Sequence, residues 1–378
     1  GMGNQTKRIA VVLAGAVAKG AFEAGVIRAL VRADIDIVRI VATSAGALNG
    51  TVLAAAVRAG DLVGGAERLA TLWQDHAEWN EVFHTSFRDI LRRDGLSDQA
   101  RLLGLLRDHI APSQPDRPSP VNLRLIVAAL GGCAGSIGVR PATTFESVRD
   151  FHGDDFGSPH GLEGVFAAAV ASSAFPLVFA PVAVDGVGLC VDGGAVNNTP
   201  MKWALDGAIG ATVDAVVVIA TSVEQRADPP GGLTGLGALG SHLAEMLIDE
   251  RLYRDLREAE QVNAALEKLD QLGATGVLDA TQLSSVLDAV GWTQRRHVEI
   301  ISIRPTEELP GNAFSAFLHR DARIQYLDMG FRRGLEVLGG LGWSHRPEPA
   351  VSVRHDDVVG AAGDAVELPG PVEGDRPE

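Results

Sequence analysis

Arg8-Ile9-Ala10-Val11-Val12-Leu13, followed by Gly15-Ala16-Val17-Ala18-Lys19-Gly20, is the stretch whose reading decides the fold. An apolar run rich in β-branched residues and followed by glycine has the length and content of a buried strand. Helical spacing begins near Gly20, with Phe22, Val26, Leu30 and Val31 on one face. A second strand is expected over residues 37–42 and a second helix over residues 44–58. This β-loop-α-β-loop-α order, within about 60 residues, implies parallel strands joined by right-handed crossovers.

The two loops of this unit leave the carboxyl ends of parallel strands, so they could face one another. The second carries Ala42-Thr43-Ser44-Ala45-Gly46, a small-x-Ser-x-Gly pattern with alanine in the first place. Such a turn is so sharp that residues two before and two after the serine must be small, which exposes the hydroxyl at a helix N-terminus. There the positive end of the helix dipole favours a developing anion. Taken alone, Ser44 reads first as a helix N-cap.

The first loop, Gly15 to Gly20, offers unpaired backbone N–H groups at a strand-to-helix junction, an anion site. A dinucleotide fingerprint would need glycine where Val17 stands and an acid where Thr43-Ser44 end the second strand. A phosphate-binding loop would need Gly-Lys-Ser/Thr, whereas Lys19 precedes Gly20. An oxyanion hole needs only N–H groups aimed at one point, and that reading is favoured. Farther along, Val191-Asp192-Gly193-Gly194 puts an acid at a strand end before two glycines. Asp192 could take the proton of Ser44 if it is buried enough to act as a base. On its own it is also a turn-forming Asp-Gly.

Outward from these loops, residues 60–118 read as mostly helical and end in a proline-rich loop. Strands are expected over residues 123–130, 143–148, 189–191, 213–220 and 298–303. Helices are expected over 162–173, 200–209, 241–269 and 323–338. A Gly-rich stretch at 231–240 reads as a linker or a hinge. The segment 229–295 is an expected helical insertion or lid, and 346–378 an acidic, proline-containing tail expected to be disordered.

Composition narrows the function. With 378 residues, 46% hydrophobic and only 5% aromatic, the chain can bury a large α/β core. A net charge of −15 argues against nucleic acid and against anionic lipid held by bulk electrostatics. Cys133 and Cys190 form no metal-spaced pair, and none of the ten histidines shows a metal spacing, so no metal or other cofactor is expected. Gly1 ahead of Met2 reads as a cloning remnant. No apolar run reaches about 18 residues and no signal peptide precedes the first strand, so a soluble, cytoplasmic protein is expected.

In order, Gly15 to Gly20, Ala42 to Gly46 and Asp192 to Gly194 resemble the motifs of the patatin-like phospholipase family: an oxyanion loop, a nucleophile elbow and an Asp-Gly-Gly turn. Residues 24–30 (AGVIRAL), 171–176 (ASSAFP) and 197–200 (NNTP) resemble it too. The resemblance implies a three-layer α/β sandwich with a mainly parallel central sheet, here followed by a helical C-terminal segment, in one domain over residues 7–345. It implies hydrolysis of lipid acyl esters by a Ser-Asp dyad, with possible peripheral membrane contact from the segment after Gly231. By position, Ser44 would be the nucleophile and Asp192 the base. Backbone N–H groups of Gly15, Ala16, Val17 and Ala45 would hold the oxyanion. Lys19, Gly20, Ala42, Gly46, Gly193 and Gly194 support the motifs. Ala16 and Val17 stand where the family has glycines. If either needs φ > 0 the side chain costs about 1–2 kcal/mol, Val17 being the worse case. A catalytically impaired, lipid-binding homologue is the alternative.

Overall fold

The computed structural model describes residues 6–82, 99–117, 119–137, 140–176, 179–210, 212–223, 236–292, 296–311 and 315–343. The expected tail, 346–378, and residues 224–235 lie outside them.

The opening unit folds as its pattern dictates. Strand β1 (Lys7–Leu13), helix α1 (Gly20–Leu30), strand β2 (Ile35–Ala42) and helix α2 (Ala45–Ala59) follow one another. β1 and β2 pair in parallel, ending with Leu13 beside Ala42. β1 is a continuous apolar run because both of its faces are covered. Ile9, Val11 and Leu13 enter the core on one side, and Ala10 and Val12 enter the core on the other. Burying a side chain such as Ile9 or Leu13 stabilises by about 1.5–3 kcal/mol.

Helices α3 (Leu62–His76) and α4 (Ala100–His109) follow. Strands β3 (Asn122–Ile137) and β4 (Arg140–His152), helix α5 (Pro159–Ser172), and strands β5 (Val182–Val184) and β6 (Gly188–Asp192) continue the chain. Then come helix α6 (Met201–Leu205), strand β7 (Ala215–Ile219), helices α7 (Leu236–Ala274) and α8 (Ala280–Ala289), strand β8 (Glu299–Ile303) and helix α9 (Arg320–Gly340). One eight-stranded sheet runs β5-β6-β3-β2-β1-β7-β8, with β4 paired to β3. The five strands from β3 to β8 are mutually parallel, and the β4, β5 and β6 pairings are antiparallel. Helices α1, α2, α3, α5 and α9 pack on one face, and α6 and part of α7 on the other, making the three-layer α/β sandwich.

Helix α1 is buried around nearly its whole circumference rather than along one face, because α9 covers the side away from the sheet. A Cβ on Gly25 would lie 2.1 Å from the Leu327 carbonyl, and one on Gly330 would lie 2.0 Å from that of Phe22. The two backbones touch at these glycines, which accounts for glycine in the AGVIRAL stretch.

Other expectations change in instructive ways. The strands at 123–130 and 143–148 are halves of one long hairpin. Gly131-Gly132 does not end the strand; it forms a bulge between Ala128 and Cys133, with Gly132 at φ 73°. The helix expected over 200–209 breaks at Asp206, which is extended with ψ 144°. The cause is Arg39, a buried guanidinium from β2 that donates to the carbonyls of Trp203, Ala204 and Asp206. Burial first, and then the Arg124 charge, lower Arg39 to about 10. The Gly-rich stretch is not a linker throughout, since α7 already begins at Leu236. No described helix is long and apolar enough to cross a membrane.

Candidate active site

Because Leu13 and Ala42 end neighbouring parallel strands, the loops that follow them emerge side by side. After β2 the chain turns within two residues. Thr43 N–H donates to Leu13 O at 3.2 Å, and Ser44 takes φ 56°, ψ −134° before α2 begins at Ala45. Positive φ in a serine costs on the order of 1–3 kcal/mol and persists only where surrounding contacts impose it. Gly46 is one reason the turn closes: a Cβ there would lie 2.7 Å from Leu13 O. Ala42 stands where the family motif has glycine, and its methyl is accommodated because α2 presents Gly50 to it. A Cβ on Gly50 would come within 3.1 Å of that methyl.

Asp192 ends β6, opposite Val127 of β3. Its Oδ2 accepts the Ser44 hydroxyl at 2.6 Å, and its Oδ1 accepts the Gly194 N–H at 2.7 Å. The side chains lie in a dry site, Ser44 being 5% exposed and Asp192 3%. Burial pushes the Asp192 carboxyl up to about 7, against the opposing hydrogen bonds from Ser44 and Gly194. Gly193 is required by close approach, since a Cβ there would lie 2.0 Å from Ile126 O. The end of α5 braces both residues. Ser172 Oγ accepts the Ser44 N–H at 3.1 Å and donates to Ile126 O at 2.5 Å. Two residues on, Ala174 O accepts the Asp192 N–H at 3.0 Å.

In the first loop, Gly15 donates its N–H to Asn198 O at 3.2 Å, so that group is engaged. A Cβ on Gly15 would lie 2.1 Å from Asn198 Oδ1. Ala16 keeps negative φ at −140°, whereas Val17 is at φ 48°. Val17 through Lys19 form a short 3-10 turn, in which Lys19 N–H donates to Ala16 O at 2.9 Å and Gly20 N–H to Val17 O. Lys19 therefore shapes the loop through its backbone. Among the described residues, no acceptor takes the N–H of Ala16, Val17 or Ala45. The loop lies beside Ser44, where a Cβ on Gly15 would come 3.2 Å from Ser44 Cβ.

Beneath the loop lies a buried polar chain that sequence reasoning missed. Asn49 Nδ2 donates to Gly20 O at 3.0 Å and to Glu23 Oε2 at 2.9 Å, and Trp73 Nε1 donates to Asn49 Oδ1 at 2.7 Å. Glu23 is fully buried, and desolvation raises its pKa well above the usual carboxylate range. Its Oε2 accepts from Asn49, and through Asn49 it links the starts of α1 and α2 to Trp73 of α3. Glu23, the one charged residue between Gly20 and Ile27, was the signal available in the sequence.

Ser44 and Asp192 open onto an apolar cavity of about 910 Å³ of atom-free space, its mouth included. Its walls include Leu48, Val52, Leu69, Leu102, Phe175 and Phe317, from α2, α3, α4, the chain after α5 and the short helix Ser315–Leu318 before α9. None of the described residues of 236–292, the bulk of the expected lid, lines it. The histidines in its wall are His76 and His109, with ring centroids 5.1 Å apart. His109 Nδ1 is hydrogen-bonded to Leu105 O and His76 Nδ1 to Glu81. Neither is bonded to Ser44 or Asp192. A Ser-Asp-His order would draw on a histidine after Asp192, such as His242, His297 or His319; His297 and His319 are solvent-exposed, and the His242 side chain lies outside the described residues. Among the described residues, no group of three His, Cys, Asp or Glu could hold a metal.

A model of the patatin-like phospholipase family matches residues 11–205. The crystal structure of VipD from Legionella pneumophila is similar at 12% identity and a TM-score of 0.38, over 89% of this chain and 67% of that one. No curated protein matches the sequence. The family match covers more than half of the chain and takes in Gly15 to Gly20, Ala42 to Gly46 and Asp192 together. The chain belongs to the patatin-like phospholipase family, a family of lipid acyl hydrolases.

Proposed function

We propose that this protein hydrolyses lipid acyl esters through an acyl-enzyme, with Ser44 as nucleophile and Asp192 as its base. The observation that carries the reading is the 2.6 Å hydrogen bond from Ser44 Oγ to Asp192 Oδ2 at the floor of an apolar cavity. An acyl chain fits that lining, and burial excludes the water that would weaken the charges formed in the reaction.

Ser44 Oγ attacks the ester carbonyl while its proton passes to Asp192 Oδ2. The oxyanion is held by N–H groups of Ala16, Val17 and Ala45, the last at the positive end of α2. Gly15, whose N–H is engaged by Asn198, anchors the loop instead of donating. Collapse expels the alcohol, which takes the proton from Asp192. Water then attacks the acyl-enzyme and gives its proton to Asp192; collapse returns that proton to Ser44 and releases the fatty acid. A base near pKa 7 is matched to this shuttling at neutral pH. Lipid contact at a membrane surface is compatible with this reading.

A fluorophosphonate probe with p-nitrophenyl esters tests it. Labelling and turnover in the wild type are expected to vanish in Ser44→Ala, with a fall of at least ~10³-fold. A folded wild type that neither labels nor turns over would instead be a lipid-binding member without catalysis.

A further inference from the structure

We propose that Ser172 is a positioning residue of the dyad: its hydroxyl holds the Ser44 backbone in the strained turn from which Oγ reaches Asp192. This rests on the acyl-hydrolase reading above. The hydroxyl has one proton, and that proton is committed to Ile126 O at 2.5 Å. A lone pair therefore faces the Ser44 N–H, 3.1 Å away, and the chain runs Ser44 N–H to Ser172 O–H to Ile126 O. Each link in such a chain polarises the next.

The neighbour Ser173 shows what an ordinary helix-end serine does here. Its hydroxyl bonds back to Ala169 and Val170 in its own helix. Ser172 instead reaches across to two other elements, the elbow before α2 and strand β3. Ala174, in the same segment, takes the Asp192 N–H. The ASSAFP segment therefore holds both members of the dyad, one through a side chain and one through a backbone carbonyl.

The energetic need lies at Ser44. Its N–H precedes the helix, is buried, and has no carbonyl acceptor of its own. Ser172 supplies that acceptor, and its loss leaves the buried N–H unpaired, which favours a shift of the turn that moves Oγ relative to Asp192. A misplacement of about 1 Å in a reacting group can cost ~10²-fold in rate. Ser172 is fully buried and does not line the cavity, so it touches no substrate. Its loss should act on kcat and leave KM alone.

The test is steady-state hydrolysis of a p-nitrophenyl ester by the full chain carrying Ser172→Ala. The expected result is a fall in kcat of about 10–100-fold with KM within about 3-fold of wild type. Ser172→Thr and Ser172→Val share one shape and differ by the hydroxyl. Threonine should retain most of the activity that valine loses, and this pair carries the test if the alanine variant is unstable. Amide exchange at Ser44, followed by NMR, reads the hydrogen bond without needing turnover, and should be faster in Ser172→Ala. Unchanged kcat in a folded Ser172→Ala, equal activity of the threonine and valine variants, or an unaltered Ser44 amide each overturns the proposal. Absence of Ser44-dependent labelling in the wild type defeats the hydrolase reading, and with it the catalytic role of Ser172. The amide measurement tells these two failures apart.

Discussion

Ser44 and Val17 are the two non-glycine residues at positive φ among the described residues, and they sit on adjacent loops of one site. Their circumstances differ. Ser44 is held from every side: its N–H by Ser172, its hydroxyl by Asp192, and its turn by Gly46 against Leu13. Val17 has its N–H unpaired among the described residues, and only its carbonyl is used, by Gly20. At Ser44 the strain accompanies the side chain proposed as the nucleophile. At Val17 the side chain contributes packing against the core and cavity wall, while the backbone does the work. Under the proposed reading, strain at the elbow accompanies the nucleophile, and strain at the loop is a stability cost set against the packing of the Val17 side chain.

The largest expected effect probes the elbow. Asp192→Asn should cut turnover by about 10²–10⁴-fold, the usual contribution of a positioned base. Stability should move the other way. The folded pKa of Asp192, about 7, lies above its ordinary 3.8, so the folded state binds the proton more tightly. That contribution is complete below pH 3.8 and is lost as pH rises through 7. An asparagine has no charge to desolvate, so at pH 8 the variant should melt a few degrees above wild type, about 2–4 °C per kcal/mol gained. A lower melting temperature at pH 8 would contradict the buried, destabilised carboxylate. In the wild type kcat/KM should rise about tenfold per pH unit below the midpoint near 7. A flat profile from pH 5 to 8 would remove Asp192 as base.

Gly15→Ala comes next, on the loop. Its new methyl would meet Asn198 Oδ1 at 2.1 Å, so the anchor to Asn198 must shift and displace the donors at Ala16 and Val17. Loss of one oxyanion donor costs on the order of 10²–10³ in rate, and a partial displacement should cost about tenfold. Ester turnover measures it, and wild-type rates would mean the loop is not anchored there.

The smallest effect separates strain from function. Val17→Gly should relieve about 1–2 kcal/mol of backbone strain. The greater freedom of glycine in the unfolded chain returns about 0.4–1 kcal/mol of that gain. Loss of the half-buried valine side chain offsets the remainder, so stability in chemical denaturation should change by less than about 1 kcal/mol, with kcat changed less than about 3-fold because the backbone already holds its conformation. A rate gain near ~100-fold would show instead that valine damages the hole.

Much of this molecule was legible in the residues. The β1–α1–β2–α2 unit follows from apolar periodicity, which depends on local spacing. The order of loop, elbow and Asp-Gly-Gly turn located Ser44 and Asp192 because sharp turns restrict residue type locally. Where sequence reasoning stopped short, the reason was non-local. Gly131-Gly132 look like strand breakers until β4 turns them into a bulge. The 200–209 helix looks continuous until Arg39, from β2, takes its carbonyls. Glycines at 237 and 240 look like linker until they are seen inside a 39-residue helix.

The amino-acid sequence by itself determined which residue types stand at the turns: a serine between small neighbours, an acid before two glycines, and a valine where the family has glycine. Only the tertiary structure decided which backbone groups are free to act. Gly15 has its donor taken by Asn198, from residues 183 positions away, and Ser44 has its own taken by Ser172, 128 positions away. Burial of Asp192, which sets its affinity for the proton, is likewise a property of the packed sheet and helices around it. Hydrogen-bond partners and desolvation depend on what the folded chain brings alongside a group, and no local pattern encodes that.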